Sequence, residues 1–105
     1  MKKRNRNATP RRDPFEPLDG AIDAALDLHG DRADEARTRV VRFLAEAHRR
    51  KPGALVHVIT GKGRGSARGP VLKGAIRSLL RSDTVKEVAA WGPDLDGGGY
   101  LIRLR

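Results

Sequence analysis

The stretch Leu55-Val56-His57-Val58-Ile59 is short, rich in β-branched residues and almost continuously apolar. Such a run reads as a central strand covered on both faces. Thr60-Gly61-Lys62-Gly63-Arg64-Gly65-Ser66 follows at once, with too much glycine to continue a strand or a helix. The basic, Gly-rich loop runs to Gly69, and Pro70 suits the first position of a helix. Val71, Leu72, Ala75, Ile76, Leu79 and Leu80 then form an apolar stripe up to Arg81.

Working outward toward the N-terminus, Leu26-Asp27-Leu28-His29 alternates apolar and polar residues as a strand does, and Gly30 ends it. Asp31 is the expected N-cap of a helix, with Asp34 and Glu35 in its first turn. Ala33, Ala36, Val40, Phe43, Leu44 and Ala47 recur at helical spacing, and Pro52-Gly53 stops the helix. Toward the C-terminus, residues 85–90 read as a third strand and Trp91-Gly92-Pro93 through Gly99 as a turn or long hairpin loop. Tyr100-Leu101-Ile102-Arg103-Leu104 reads as a closing strand. The order β-α-β-α-β-β predicts an α/β (α+β) two-layer sandwich with a four-stranded mixed sheet. Its helices join parallel strands and its last two strands form a hairpin.

Residues 1–20 read as a basic tail broken by Pro10, Pro14 and Pro17, with residues 21–105 forming one domain. The tail is either a phosphate-docking arm or a solubilising one. The whole chain of 105 residues carries 22 Lys and Arg against 13 Asp and Glu, a net charge of +9. That excess points to a polyanionic partner, RNA or DNA or a ribosome. No run approaches the ~20 apolar residues that span a bilayer, so no membrane partner is expected. Cysteine is absent, which excludes disulfides, thiolate zinc sites and a Cys nucleophile. With no apolar leader, a cytoplasmic location is expected. One Trp, one Tyr and two Phe are a thin basis for a base-stacking platform. The oligomeric state is not written in these patterns.

Two constellations carry chemistry. Alternation in a strand puts Asp27 and His29 on one face, at the strand's C-terminal end beside a helix N-terminus, where open α/β sheets bind ligands. A carboxylate near an imidazole orients it and raises its pKa, fitting it to accept protons. The plainer alternative is a solvated polar strand end. The second constellation is the loop. Gly61, Gly63 and Gly65 let backbone N–H groups approach an anion, and Thr60, Lys62, Arg64, Ser66 and Arg68 add donors. Its spacing is neither that of a Walker A loop nor that of a dinucleotide-binding fingerprint. Its alternative is a plain surface loop. Adjacent parallel strands bring both constellations to one sheet end, combining proton transfer with charge stabilisation, the needs of phosphodiester cleavage. His48 reads as structural, His57 as a core or inter-layer residue, and Trp91 as packing at the sheet's edge.

Leu26-Asp27-Leu28-His29-Gly30 resembles the LDLHG signature that opens the Smr (small MutS-related) domain, and Thr60-Gly61-Lys62-Gly63 resembles its second signature, HGxG or TGxG. Val71, Leu79-Leu80, the Gly-rich turn before Tyr100 and the closing strand also resemble that family, so the likeness covers roughly residues 22–105. The resemblance implies a fold similar to the C-terminal domain of translation initiation factor three. It implies a nuclease acting on DNA or RNA, with Asp27 and His29 from the first motif and Gly61, Lys62 and Gly63 from the second as functional residues. Thr60 stands where many members carry His. No cofactor is expected for metal-free RNA cleavage. A DNA-nicking alternative brings Mg²⁺ or Mn²⁺ to Asp27. A non-catalytic nucleic-acid or ribosome-binding module is the third reading.

Overall fold

The computed structural model describes residues 17–61, 69–82 and 85–105. The elements are β1 (Ala24–Asp27), α1 (Ala33–Arg50), β2 (Leu55–Ile59), α2 (Gly69–Arg81), β3 (Val88–Pro93) and β4 (Gly99–Leu104). They form one four-stranded sheet in the order β1-β2-β4-β3. β1 pairs in parallel with β2, and β4 pairs antiparallel with both β2 and β3. The sheet is therefore mixed, as expected. The α2 crossover joins two strands of like direction with β4 between them.

One face of the sheet carries the core. Leu28, Val56, Val58, Tyr100, Ile102 and Leu104 pack against Ala36, Val40 and Leu44 of α1 and Leu72, Ile76 and Leu80 of α2. The period-2 pattern of the strands and the 3.6-residue pattern of the helices meet on this face. β2 is central, but it is not covered by helices on both sides. His57 and Ile59 are half-buried on the opposite face. There the chain's own N-terminal segment supplies the cover. The Arg103 guanidinium, only 8% exposed, donates to Pro17 O, Asp19 O and Gly53 O at 2.7–2.8 Å. A Cβ on Gly92 would lie 2.9 Å from Leu18 Cδ1, so the missing side chain is what lets Leu18 lie against the sheet.

Three local expectations are corrected. First, the N-cap of α1 is Arg32, not Asp31. The Arg32 N–H donates to Glu35 Oε1 at 3.0 Å, while Asp31 binds Arg39 instead, Nη1 to Oδ2 at 2.7 Å. Second, Trp91-Gly92-Pro93 is strand rather than turn, and the reversal falls at residues 94–98. Pro93 is tolerated because it ends an edge strand, where a lost ladder donor costs least. Third, β3 starts at Val88 and has an irregular register between Val88 and Ala90. No helix among the described residues is long and apolar enough to cross a membrane.

Candidate functional site

The polar alternation of β1 survives folding. Leu28 is fully buried, whereas Asp27 and His29 on either side of it are exposed. β1 itself ends at Asp27, so His29 lies in the turn that follows. That turn is closed by Asp31 N–H donating to Leu28 O at 2.8 Å, with Gly30 at φ +88°, a conformation glycine adopts without strain. Asp27 fixes it from below, because its Oδ1 accepts the backbone N–H of His29 at 2.9 Å. The sequence suggested a carboxylate orienting an imidazole. The structure instead directs the carboxylate to the amide two residues on, the local bond that a short Asp side chain reaches most readily.

The loop after β2 arrives beside this turn. Gly61 has φ +95°, and a Cβ built on it would stand 3.6 Å from His29 Cδ2. The parallel β1–β2 register, with Asp27 opposite Ile59, puts the ends of both strands at one sheet end. Gly98 O anchors the base of the loop by accepting the N–H groups of Thr60 (2.8 Å) and Gly61 (3.0 Å). Gly30 thus follows His29 in its turn, Gly61 stands beside the His29 ring, and Gly98 holds Gly61 in place.

The Thr60 side chain is fully buried and its hydroxyl lies 3.3 Å from Gly98 O, so it braces the loop base. Lys62, Gly63, Arg64, Gly65, Ser66 and Arg68 lie outside the described residues. Among the described residues, no group of three or more His, Cys, Asp or Glu side chains could hold a metal ion.

Sequence reading missed one pair. His57 does share the face of Ile59, but that face points away from the helices, so His57 is neither core nor inter-layer. Its Nε2–H donates to Asp94 Oδ2 at 2.8 Å. Asp94 Oδ1 also accepts the Gly98 N–H at 3.0 Å. Burial pushes the Asp94 carboxyl upward, but the hydrogen bonds from His57 and the Gly97 and Gly98 amides outweigh it and hold the group below its ordinary range. The partners are 37 residues apart, so no local spacing announces them. The only hint was a histidine in an otherwise apolar strand.

The Smr domain family model matches residues 26–102, which contain both motifs and all of the sheet except Ala24 and Ala25 of β1 and Arg103 and Leu104 of β4. The chain belongs to the Smr domain family. This is a family associated with nucleases and nucleic-acid binding. The crystal structure of the Smr domain of Thermus thermophilus MutS2 is similar to this Smr chain, with 29% identity and a TM-score of 0.63. The match covers 78% of this chain and 98% of that one. No match is found among the curated proteins.

Proposed function

We propose that this Smr domain is an endoribonuclease whose proton acceptor is His29. The observation that carries the proposal is the position of the His29 ring beside Gly61, the first residue of the basic loop. A phosphodiester held by the loop amides and by Lys62, Arg64, Ser66 and Arg68 is then within reach of the imidazole. His29, or a water held by Asp27 and His29, takes the proton of the attacking 2′-hydroxyl. The 2′ oxygen bonds to phosphorus, and the 5′ oxygen leaves, taking a proton back. The products are a 2′,3′-cyclic phosphate and a 5′-hydroxyl end. The loop cations stabilise the charge on the phosphorane, and losing one well-placed donor of that kind costs ~10²–10³ in rate. A cytoplasmic, ribosome-associated setting suits the net charge of +9.

The test is cleavage of labelled single-stranded RNA and of single- and double-stranded DNA, with and without EDTA, by the native chain and by the D27A/H29A variant. RNA cleavage that persists in EDTA and is lost in the variant supports the proposal. Unchanged cleavage by the variant overturns the assignment, and cleavage of DNA only with metal selects the nickase.

One observation favours a second reading, a binding module that does not cut. The Asp27 carboxylate binds the His29 amide and not its ring, so the imidazole has no carboxylate orienter among the described residues. That reading predicts steeply salt-dependent RNA binding with no product.

A further inference from the structure

α1 and α2 handle charge differently. Arg39, Arg49 and Arg50 of α1 each pair with Asp31 or Glu46. α2 has no Asp or Glu over its whole length, and it presents Lys73, Arg77 and Arg81 at i, i+4 and i+8. That spacing puts all three on one ridge of the helix, about 6 Å apart along the axis. None of them joins an ion pair among the described residues.

The two ends of the ridge lie at different features. Lys73 Nζ is 4.0 Å from where a Cβ on Gly97 would be, and Gly97 precedes the Gly98 that anchors the Gly61 loop. The first cation therefore stands next to the candidate site. Arg81, at the other end, opens into a cleft of about 480 Å³ between α2 and the edge strand β3. Lys86, Trp91 and Arg105 also line this cleft. Trp91 stands edge-on to Tyr100, with ring centroids 5.7 Å apart, and is half-buried.

We infer that the groove between α2 and β3 is a docking track for single-stranded RNA, with Lys73, Arg77 and Arg81 on successive phosphates and a base lodged against Trp91. Charge complementarity identifies the occupant. A ridge of cations with no ion-pair partner among the described residues, leading to an aromatic cleft with basic walls, combines the two elements of single-strand binding, a cationic track and a stacking surface. RNA is the strand because the reaction proposed above needs a 2′-hydroxyl, so this inference rests on that reading. The track lies downstream of the chemistry and positions substrate without touching the reacting atoms.

Trp91 is the chain's only tryptophan, so its fluorescence reports on the cleft alone. The experiment titrates the D27A/H29A chain, which keeps RNA intact, with a fluorophore-labelled RNA 12-mer. Anisotropy and Trp91 emission are followed across a salt series. The arms are the R77A/R81A variant in the same background and a DNA 12-mer of matched sequence. The inference expects Trp91 quenching that saturates together with anisotropy. In R77A/R81A it expects affinity lower by about tenfold and a salt slope shallower by about 1.4, at ~0.7 per lost single-strand contact. Arg77 and Arg81 are exposed, so the variant should keep its fold. RNA binding with unchanged Trp91 emission and an unchanged salt slope overturns the track and leaves the proposed function standing. Equal or tighter binding of the DNA 12-mer overturns the choice of RNA. Absence of any RNA binding overturns the track and the proposed function together.

Discussion

His29 lies against Gly61, with its Cδ2 3.6 Å from where a Gly61 Cβ would be. This contact joins two motifs that are 32 residues apart in the chain. A methyl group at Gly61 meets the ring at ordinary van der Waals distance, so the ring need not move. The strain arises in the backbone, at φ +95°. Gly61→Ala is expected to cost about 1 kcal/mol, a fall in Tm of about 4–8 °C for a domain of this size. Calorimetry measures the loss. The His29 Cδ2–H resonance should shift while the domain remains folded.

Asp27 has a role in the turn that is separable from its charge. Its Oδ1 accepts the His29 amide, and asparagine retains that acceptor. Asp27→Ala should lose about 1 kcal/mol of stability, and Asp27→Asn very little. Both should cut RNA at least about tenfold more slowly, because both remove the negative charge near the imidazole. Urea unfolding paired with cleavage rates separates the two roles. Full activity in Asp27→Asn would reduce Asp27 to a turn residue.

Asp94 makes stability depend on acid pH. Its folded carboxyl is held below the ordinary carboxylate range, so the unfolded chain binds the proton more readily. The stabilisation is complete above the unfolded value and is lost as pH falls through the folded one. Asp23 acts in the same direction, held low by the Lys51 ammonium and the Leu55 amide. Asp94→Asn should lower stability at pH 7 and flatten its decline between about pH 5 and 2. His57→Gln should produce a smaller effect of the same sign. Urea midpoints across that range test both.

Arg103 ties the N-terminal segment to the sheet through three backbone carbonyls. Charged donors to such acceptors contribute about 1.5–3 kcal/mol each in gross terms. Arg103→Ala should cost at least about 2 kcal/mol in total, since it also vacates a buried position. Proteolysis near Pro17–Gly20 should speed up in the variant while the β1–β2 amides keep their hydrogen-exchange protection. Equal proteolysis of the two chains would remove Arg103 as the anchor.

Much of this was legible in the residues because it depends on local periodicity. The Leu26–His29 alternation told which side chains point away from the core, and the 3.6-residue stripes of both helices told which faces pack. Element order then implied that the Asp27-His29 motif and the Gly61 loop would meet at one sheet end, and they do. Other features required the folded chain, because distant segments decide them. Pro93 can end a strand only because β3 lies on an edge. Thr60 is buried because Gly98, 38 residues away, accepts from it and its neighbour. Asp94 finds His57, and Arg103 finds Pro17 and Asp19, through pairings that no spacing rule encodes. The sequence by itself determined which side chains stand away from the core at the end of β1 and which helix faces pack. The tertiary structure decided which partner each one took, because burial leaves every buried polar group to bond with whatever donor or acceptor packing brings to it.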